Sequence, residues 1–134
     1  GWKGVLIEPI PHRFLECKKN RSIENAIFCN ACVSADYRNE FVKIVYSNLM
    51  SVAPELDLDL ERPYEHVATG RQFLDSHEET FTFGAVARTL TSILDEAKAP
   101  NSIDLFSLDV EGAELEVLAR DRLRLGCPVP EIAT

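Results

Sequence analysis

Two apolar runs of strand length, "GVLI" at residues 4–7 and "NAIFCNACVS" at residues 25–34, flank a stretch of helical character. All three fit within about 30 residues, the span of a strand–helix–strand unit. In the intervening stretch Pro11 suits a first helical turn, and Phe14, Leu15 and Lys18 recur at helical spacing. Lys18 can lay its stem on the apolar stripe, and Lys18 and Lys19 favour the negative helix end that Asn20 can cap. A helix over residues 11–19 between two buried strands forces a crossover connection, which is right-handed by strong preference, and so a parallel pair. A chain that starts this way is neither a helical bundle nor a stack of hairpins.

The remaining segments extend the same pattern. "FVKIVYS" (41–47) alternates apolar and polar residues as a half-exposed strand does, and "TFTFGAVA" (80–87) reads as another strand, with Gly84 as a candidate bulge. Between them, residues 49–80 form an irregular insert, whose "PELDLDLERP" reads as a short edge strand or a solvated loop, the loop being preferred. "RTLTSILDEAKAP" predicts a helix with Leu90, Ile93, Leu94 and Ala97 on one stripe, Thr89 capping its start and Pro100 just past its end. Residues 103–108, "IDLFSL", are strand-like. Residues 110–125 are helix-like, with Val110, Ala113, Val117, Leu118 and Ala119 on or near one face. Acids come first there and Arg120, Arg122 and Arg124 last, an order that complements the helix dipole. Gly126 and Pro128 stop it. The order is βαβ, an irregular β-rich stretch, then αβα. It predicts one α/β domain over residues 1–134 with a mainly parallel sheet.

Composition narrows the function. The 134 residues carry 14 Lys and Arg against 22 Asp and Glu, a net charge of −8, which argues against nucleic acid and against an anionic membrane surface. No apolar run approaches the ~18 residues of a membrane-spanning helix. No basic, apolar leader opens the chain, and the expected location is cytoplasmic. Cys29 and Cys32 form a lone C-x-x-C in a strand-like run, and Cys17 and Cys127 supply no second close pair for zinc. The expectation is core or half-buried thiols, with no metal site. His12, His66 and His77 lie in polar surroundings and are expected on the surface.

In open α/β sheets ligands bind beyond the carboxyl ends of the strands. Two acids occupy such ends here, Glu8 after "GVLI" and Asp109 after "IDLFSL". A carboxylate offers two acceptor oxygens, the complement of the vicinal hydroxyls of a ribose. The plain alternatives are a solvated strand end for Glu8 and a helix N-cap for Asp109. Glu111 and Glu114 fall in a first helical turn, where the dipole favours acids whatever else they do.

Taken together, "GVLIEPIP" with the following helix and Asn20, "ACVSAD", "TLTSIL" and above all "IDLFSLDVEGAELEVL" resemble the FkbM family of S-adenosylmethionine-dependent methyltransferases. The similarity runs from residue 1 to about 118 and is poor between about 55 and 80. A strand ending in D-x-E-G-x-E before a helix is the family's most recognisable stretch. The resemblance implies a Rossmann-like class I methyltransferase fold with S-adenosylmethionine as cofactor. It implies that Glu8 holds the cofactor ribose and that Ser34 and Ala35 lie in the region lining the adenine. It puts Asp109 beside cofactor and acceptor, with Glu111 and Glu114 as signature acids of unassigned individual role. Asp109, Glu111 and Glu114 are thus the candidate catalytic residues, and the acceptor would be a hydroxyl of a small molecule or glycan.

One departure shapes the expectation. The family opens with a strand and a Gly-rich loop, whereas the six glycines here (Gly1, Gly4, Gly70, Gly84, Gly112, Gly126) include no G-x-G. The resemblance therefore predicts an incomplete fold, without the first core strand and the C-terminal strands, and an incomplete cofactor site. That first strand would lie between residues 5–7 and 103–108, so these two must either pair directly or leave a gap. Two other functions stay open: a non-catalytic binding domain of the same fold, and a metal-dependent hydrolase using Asp109, Glu111 and Glu114.

Overall fold

A computed structural model of the chain describes residues 2–47, 79–110 and 114–119. The insert expected at 49–80 lies almost wholly outside these residues, as do Glu111, Gly112, Cys127 and the arginines after Ala119. Five strands and three helices are described: β1 (Val5–Ile7), α1 (Pro11–Asn20), β2 (Ala26–Phe28), β3 (Ala31–Val33), β4 (Phe41–Tyr46), β5 (Phe81–Thr89), α2 (Leu90–Glu96) and α3 (Glu114–Ala119).

The opening βαβ unit forms as its sequence predicts. β1 and β2 pair in parallel, Val5 opposite Ala26 and Ile7 opposite Phe28, with α1 as the crossover. Pro11 opens α1, Lys18 and Lys19 close it, and Asn20 is its last helical residue, with the extended Arg21 as its cap. Lys18 Nζ lies 5.5 Å from the Phe14 ring centroid, while Leu15 faces solvent rather than joining a buried stripe.

The run at residues 25–34 is not one strand but two. At Cys29 and Asn30 the chain changes partner: β2 pairs with β1, whereas β3 pairs in parallel with β5, Ala31 opposite Ala87 and Val33 opposite Thr89. The buried Asn30 carboxamide donates to Val86 O at 3.2 Å across this break. It satisfies a β5 carbonyl where ladder pairing begins. β4 completes the three-stranded sheet, antiparallel to β5. Gly84 is no bulge, because it pairs with Lys43 in unbroken register.

α2 begins at its expected cap: Thr89 Oγ1 accepts the Ser92 N–H at 3.2 Å. It ends with Lys98 in the left-handed region, φ 51°, and the Ala99 N–H donating to Leu94 O at 2.9 Å. Leu90 and Ile93 carry its buried stripe.

Alternation along β3 divides the core in two. Ala31 and Val33 face one side, where Val42, Ile44 and Ala85 meet them. Cys32 faces the other, with Leu90, Ile93 and Val117. Val110 packs against both clusters.

Two expectations near the C-terminal side need correction. Residues 103–108 form no strand; the segment packs Phe106 and Leu108 onto the Cys32 cluster without strand pairing. A strand needs a hydrogen-bonded neighbour, and among the described residues β1 pairs only with β2. Val110 is likewise not helical, and the described helix there is Glu114–Ala119. Of the two outcomes open for β1 and residues 103–108, the structure takes the gap. Among the described residues no helix is long and apolar enough to cross a membrane.

Candidate functional site

The gap is a cleft of about 970 Å³ between β1, α2 and the 103–110 segment. That volume is at the upper end of the range of small-molecule sites, roughly 300–1,000 Å³. Val5, Ile7, Leu94, Phe106 and Leu108 supply apolar walls, and Asn30 and Asp109 supply polar groups. Ladder bonds reveal why β1 is open to it. Gly4 O accepts the Ala26 N–H and the Glu8 N–H donates to Phe28 O, both at 3.0 Å. In a parallel strand alternate residues turn both backbone groups to the same side, so the even residues serve β2. Val5 and Ile7 therefore turn their N–H and C=O groups toward the cleft side, where no described strand pairs with them.

Glu8 stands at the carboxyl end of β1, between the cleft-lining Ile7 and Pro9. Its Oε1 accepts the Ile10 N–H at 2.9 Å, which fixes the turn into α1. Among the described residues Oε2 has no donor. Burial pushes the carboxyl above its ordinary value of 4.5, against the opposing pull of the Ile10 amide, Arg13 and His12. The partner change after β2 brings Cys29 alongside. Its Sγ lies 3.9 Å from Pro9 O, and burial together with the Glu8 charge pushes the thiol up. Cys17 and Cys29 are half-buried and Cys32 is buried, as expected of unlinked thiols. His12 is on the surface, edge-on to Tyr46 with ring centroids 5.3 Å apart.

Ser34 and Ala35 follow β3. Ser34 is buried and its hydroxyl donates to Asp36 Oδ1 at 2.7 Å, and Ala35 is exposed beside it. Neither lines the cleft, and Glu8 lines it only through its neighbours. Asp109 does line it, and is exposed. Glu114 does not reach into the cleft; its Oε1 accepts the Val110 N–H at 3.0 Å. Among the described residues no three His, Cys, Asp or Glu side chains converge on a metal position.

Several wall residues, Val5, Ile7 and Phe106 among them, carry only an apolar signal in the sequence. Such a signal marks a core position and does not tell a filled core from the wall of a cavity. Arg88 carries no sequence signal of its role at all. It donates to Ser92 O at 3.0 Å, meets Glu96 at 2.7 Å and lies over the Phe28 ring at 5.6 Å.

The described residues thus form a mixed α/β fold with parallel pairs, a cleft beside the first strand and a carboxylate on the cleft wall. The family is given by direct comparison: the methyltransferase FkbM domain model matches residues 1–127, and the chain belongs to that family. No curated protein and no solved structure matches it.

Proposed function

We propose that this chain is an S-adenosylmethionine-dependent methyltransferase domain acting on a hydroxyl of a small molecule or glycan. Membership of the FkbM family supports methyl transfer in general. The observation that carries the site is the cleft beside β1 with Asp109 on its wall. The residues present fit an adenosine-bearing cofactor in two respects. The cleft is large enough and mainly apolar-walled, and among the described residues the Glu8 carboxylate keeps one oxygen for a further donor at the carboxyl end of β1. Glu8 would hold the ribose hydroxyls from the carboxyl end of β1, while Ser34 and Ala35, which do not line the cleft, would take no direct part in holding the adenine there. When bound, S-adenosylmethionine supplies a methyl group on a sulfonium for in-line transfer.

The chain's own work is alignment and proton handling. Asp109, exposed at the cleft, would accept a hydrogen bond from the acceptor hydroxyl and take its proton as the oxygen becomes bonded to the methyl carbon. Apolar walls would keep competing water from the reacting oxygen.

Calorimetric titration with S-adenosylmethionine tests this. Glu8→Ala should weaken binding at least tenfold. Asp109→Asn should leave binding within about threefold and cut methyl transfer to a hydroxyl acceptor by about 10²-fold or more. Binding and transfer indifferent to both substitutions would sink the proposal.

A further inference from the structure

The Val110 amide is the first backbone group after Asp109, and it is doubly held. Its N–H donates to Glu114 Oε1 at 3.0 Å, and its side chain packs against both core clusters. Asp109 itself is exposed on the cleft wall. The 103–110 segment that carries it has no strand ladder to fix its backbone. Something other than sheet pairing must therefore set the direction in which the Asp109 carboxylate leaves the chain. Two anchors on Val110 are available for this, one apolar and one a hydrogen bond to a side-chain carboxyl oxygen.

We infer that Glu114 is a positioning residue: by holding the Val110 amide it fixes the peptide after Asp109 and so presents the Asp109 carboxylate to the cleft. Glu114 takes no proton from an acceptor. Its reach runs backward along its own chain, as the acid of a capping box reaches back from the first turn of a helix. Within this chain's D-x-E-G-x-E stretch, the last acid then serves the first. The presentation of Asp109 as a site residue rests on the methyltransferase proposal, whereas the tether does not.

The test compares Glu114→Gln, which keeps an acceptor oxygen, with Glu114→Ala, which removes it. Hydrogen exchange at the Val110 amide and the carboxyl-carbon NMR signal of Asp109, assigned with Asp109→Asn, are read in the whole chain. Glu114→Ala should speed Val110 exchange at least tenfold and shift the Asp109 signal. Glu114→Gln should keep the exchange rate to within about threefold of the parent and leave the Asp109 signal at the parent position. Unchanged exchange in the alanine variant, or a glutamine variant as impaired as the alanine one, overturns the inference. If the alanine variant does not fold, the Val110 amide signal is followed through an acid titration of the parent and of Glu114→Gln. A response to carboxyl ionisation that disappears in Glu114→Gln supports the tether, and one that persists overturns it. Titration with S-adenosylmethionine is run alongside. Absence of cofactor binding in the parent, with exchange behaving as expected, counts against the methyltransferase proposal and leaves the tether standing.

Discussion

The two ends of the molecule are built to different standards. Around β3, β4 and β5 every strand has its neighbour, and Val42, Ile44 and Tyr46 are 0%, 5% and 2% exposed. Around β1 and the 103–110 segment the pairing stops. All three β1 residues are half-buried, and Trp2 and Leu105 are 78% and 71% exposed. Both ends are rich in apolar side chains, so hydrophobicity alone does not separate them. What separates them is backbone pairing. A strand with a neighbour on the correct side brings its alternate residues within packing distance of the next strand, whereas an unpaired segment can only lean against what lies beneath it. The paired end is filled by packed side chains, and the unpaired end leaves the cleft.

Truncation in the two ends should show the difference most strongly. Ile44→Ala empties a filled site and should cost ~2–5 kcal/mol in chemical unfolding. Val5→Ala, on the cleft wall, removes a side chain that already has space beside it and should cost about 1 kcal/mol or less. Equal costs would break the contrast. Between the ends stands Arg88, which joins β5 to α2 through Ser92 and Glu96 and lies over Phe28 of β2. Its partner Glu96 is largely exposed, so the ion pair itself counts for little. Arg88→Met should cost ~1 kcal/mol, mostly from the bond to Ser92 O and the ring contact. A mutant whose loss appears only in the exchange of β1 and β2 amides would sharpen the picture of Arg88 as the joint.

The smallest effect is a pH dependence confined to the open end. Burial raises the Glu8 carboxyl above 4.5, so between that value and its folded-state pKa the folded chain binds more protons than the unfolded one. Stability therefore falls as pH rises through that window, and the burial cost is fully present above it. Glu8→Gln, which keeps an oxygen for the Ile10 N–H, should be slightly more stable than the parent near neutral pH. The difference should vanish below the ordinary carboxylate range. Thermal unfolding across pH 3 to 7 (roughly the range where carboxyls titrate) reads it directly, and a parent that gains on Glu8→Gln as pH rises would contradict the cause given.

Much of the local structure was legible because its signals are local. Pro11 and the paired lysines bracket α1, and Thr89 caps α2, since each acts on backbone groups within one turn of itself. The acids after Asp109 were read as helix-starting charge; Glu111 lies outside the described residues, and Glu114 accepts the N–H of Val110, a residue before the described helix. Glu8 and Asp109 were read as strand-end acids; Glu8 does follow β1, whereas the residues before Asp109 form no strand, and the cleft takes in Asp109 directly and Glu8 through Ile7 and Pro9. The split of β2 from β3 was not legible. The residues from Ala26 to Val33 keep their apolar character across Cys29 and Asn30, and the change of partner depends on where β5 lies, more than fifty residues away in the chain.

By itself, then, the sequence determined the α/β class, the parallel βαβ opening, the start of α1 and the cap of α2, and the FkbM membership, because periodicity, caps and a motif are carried by residues close in the chain. Only the tertiary structure decided that residues 103–108 remain unpaired and that a cleft opens beside β1. Those outcomes depend on which backbone groups find partners across long stretches of chain, and no single segment encodes its neighbour.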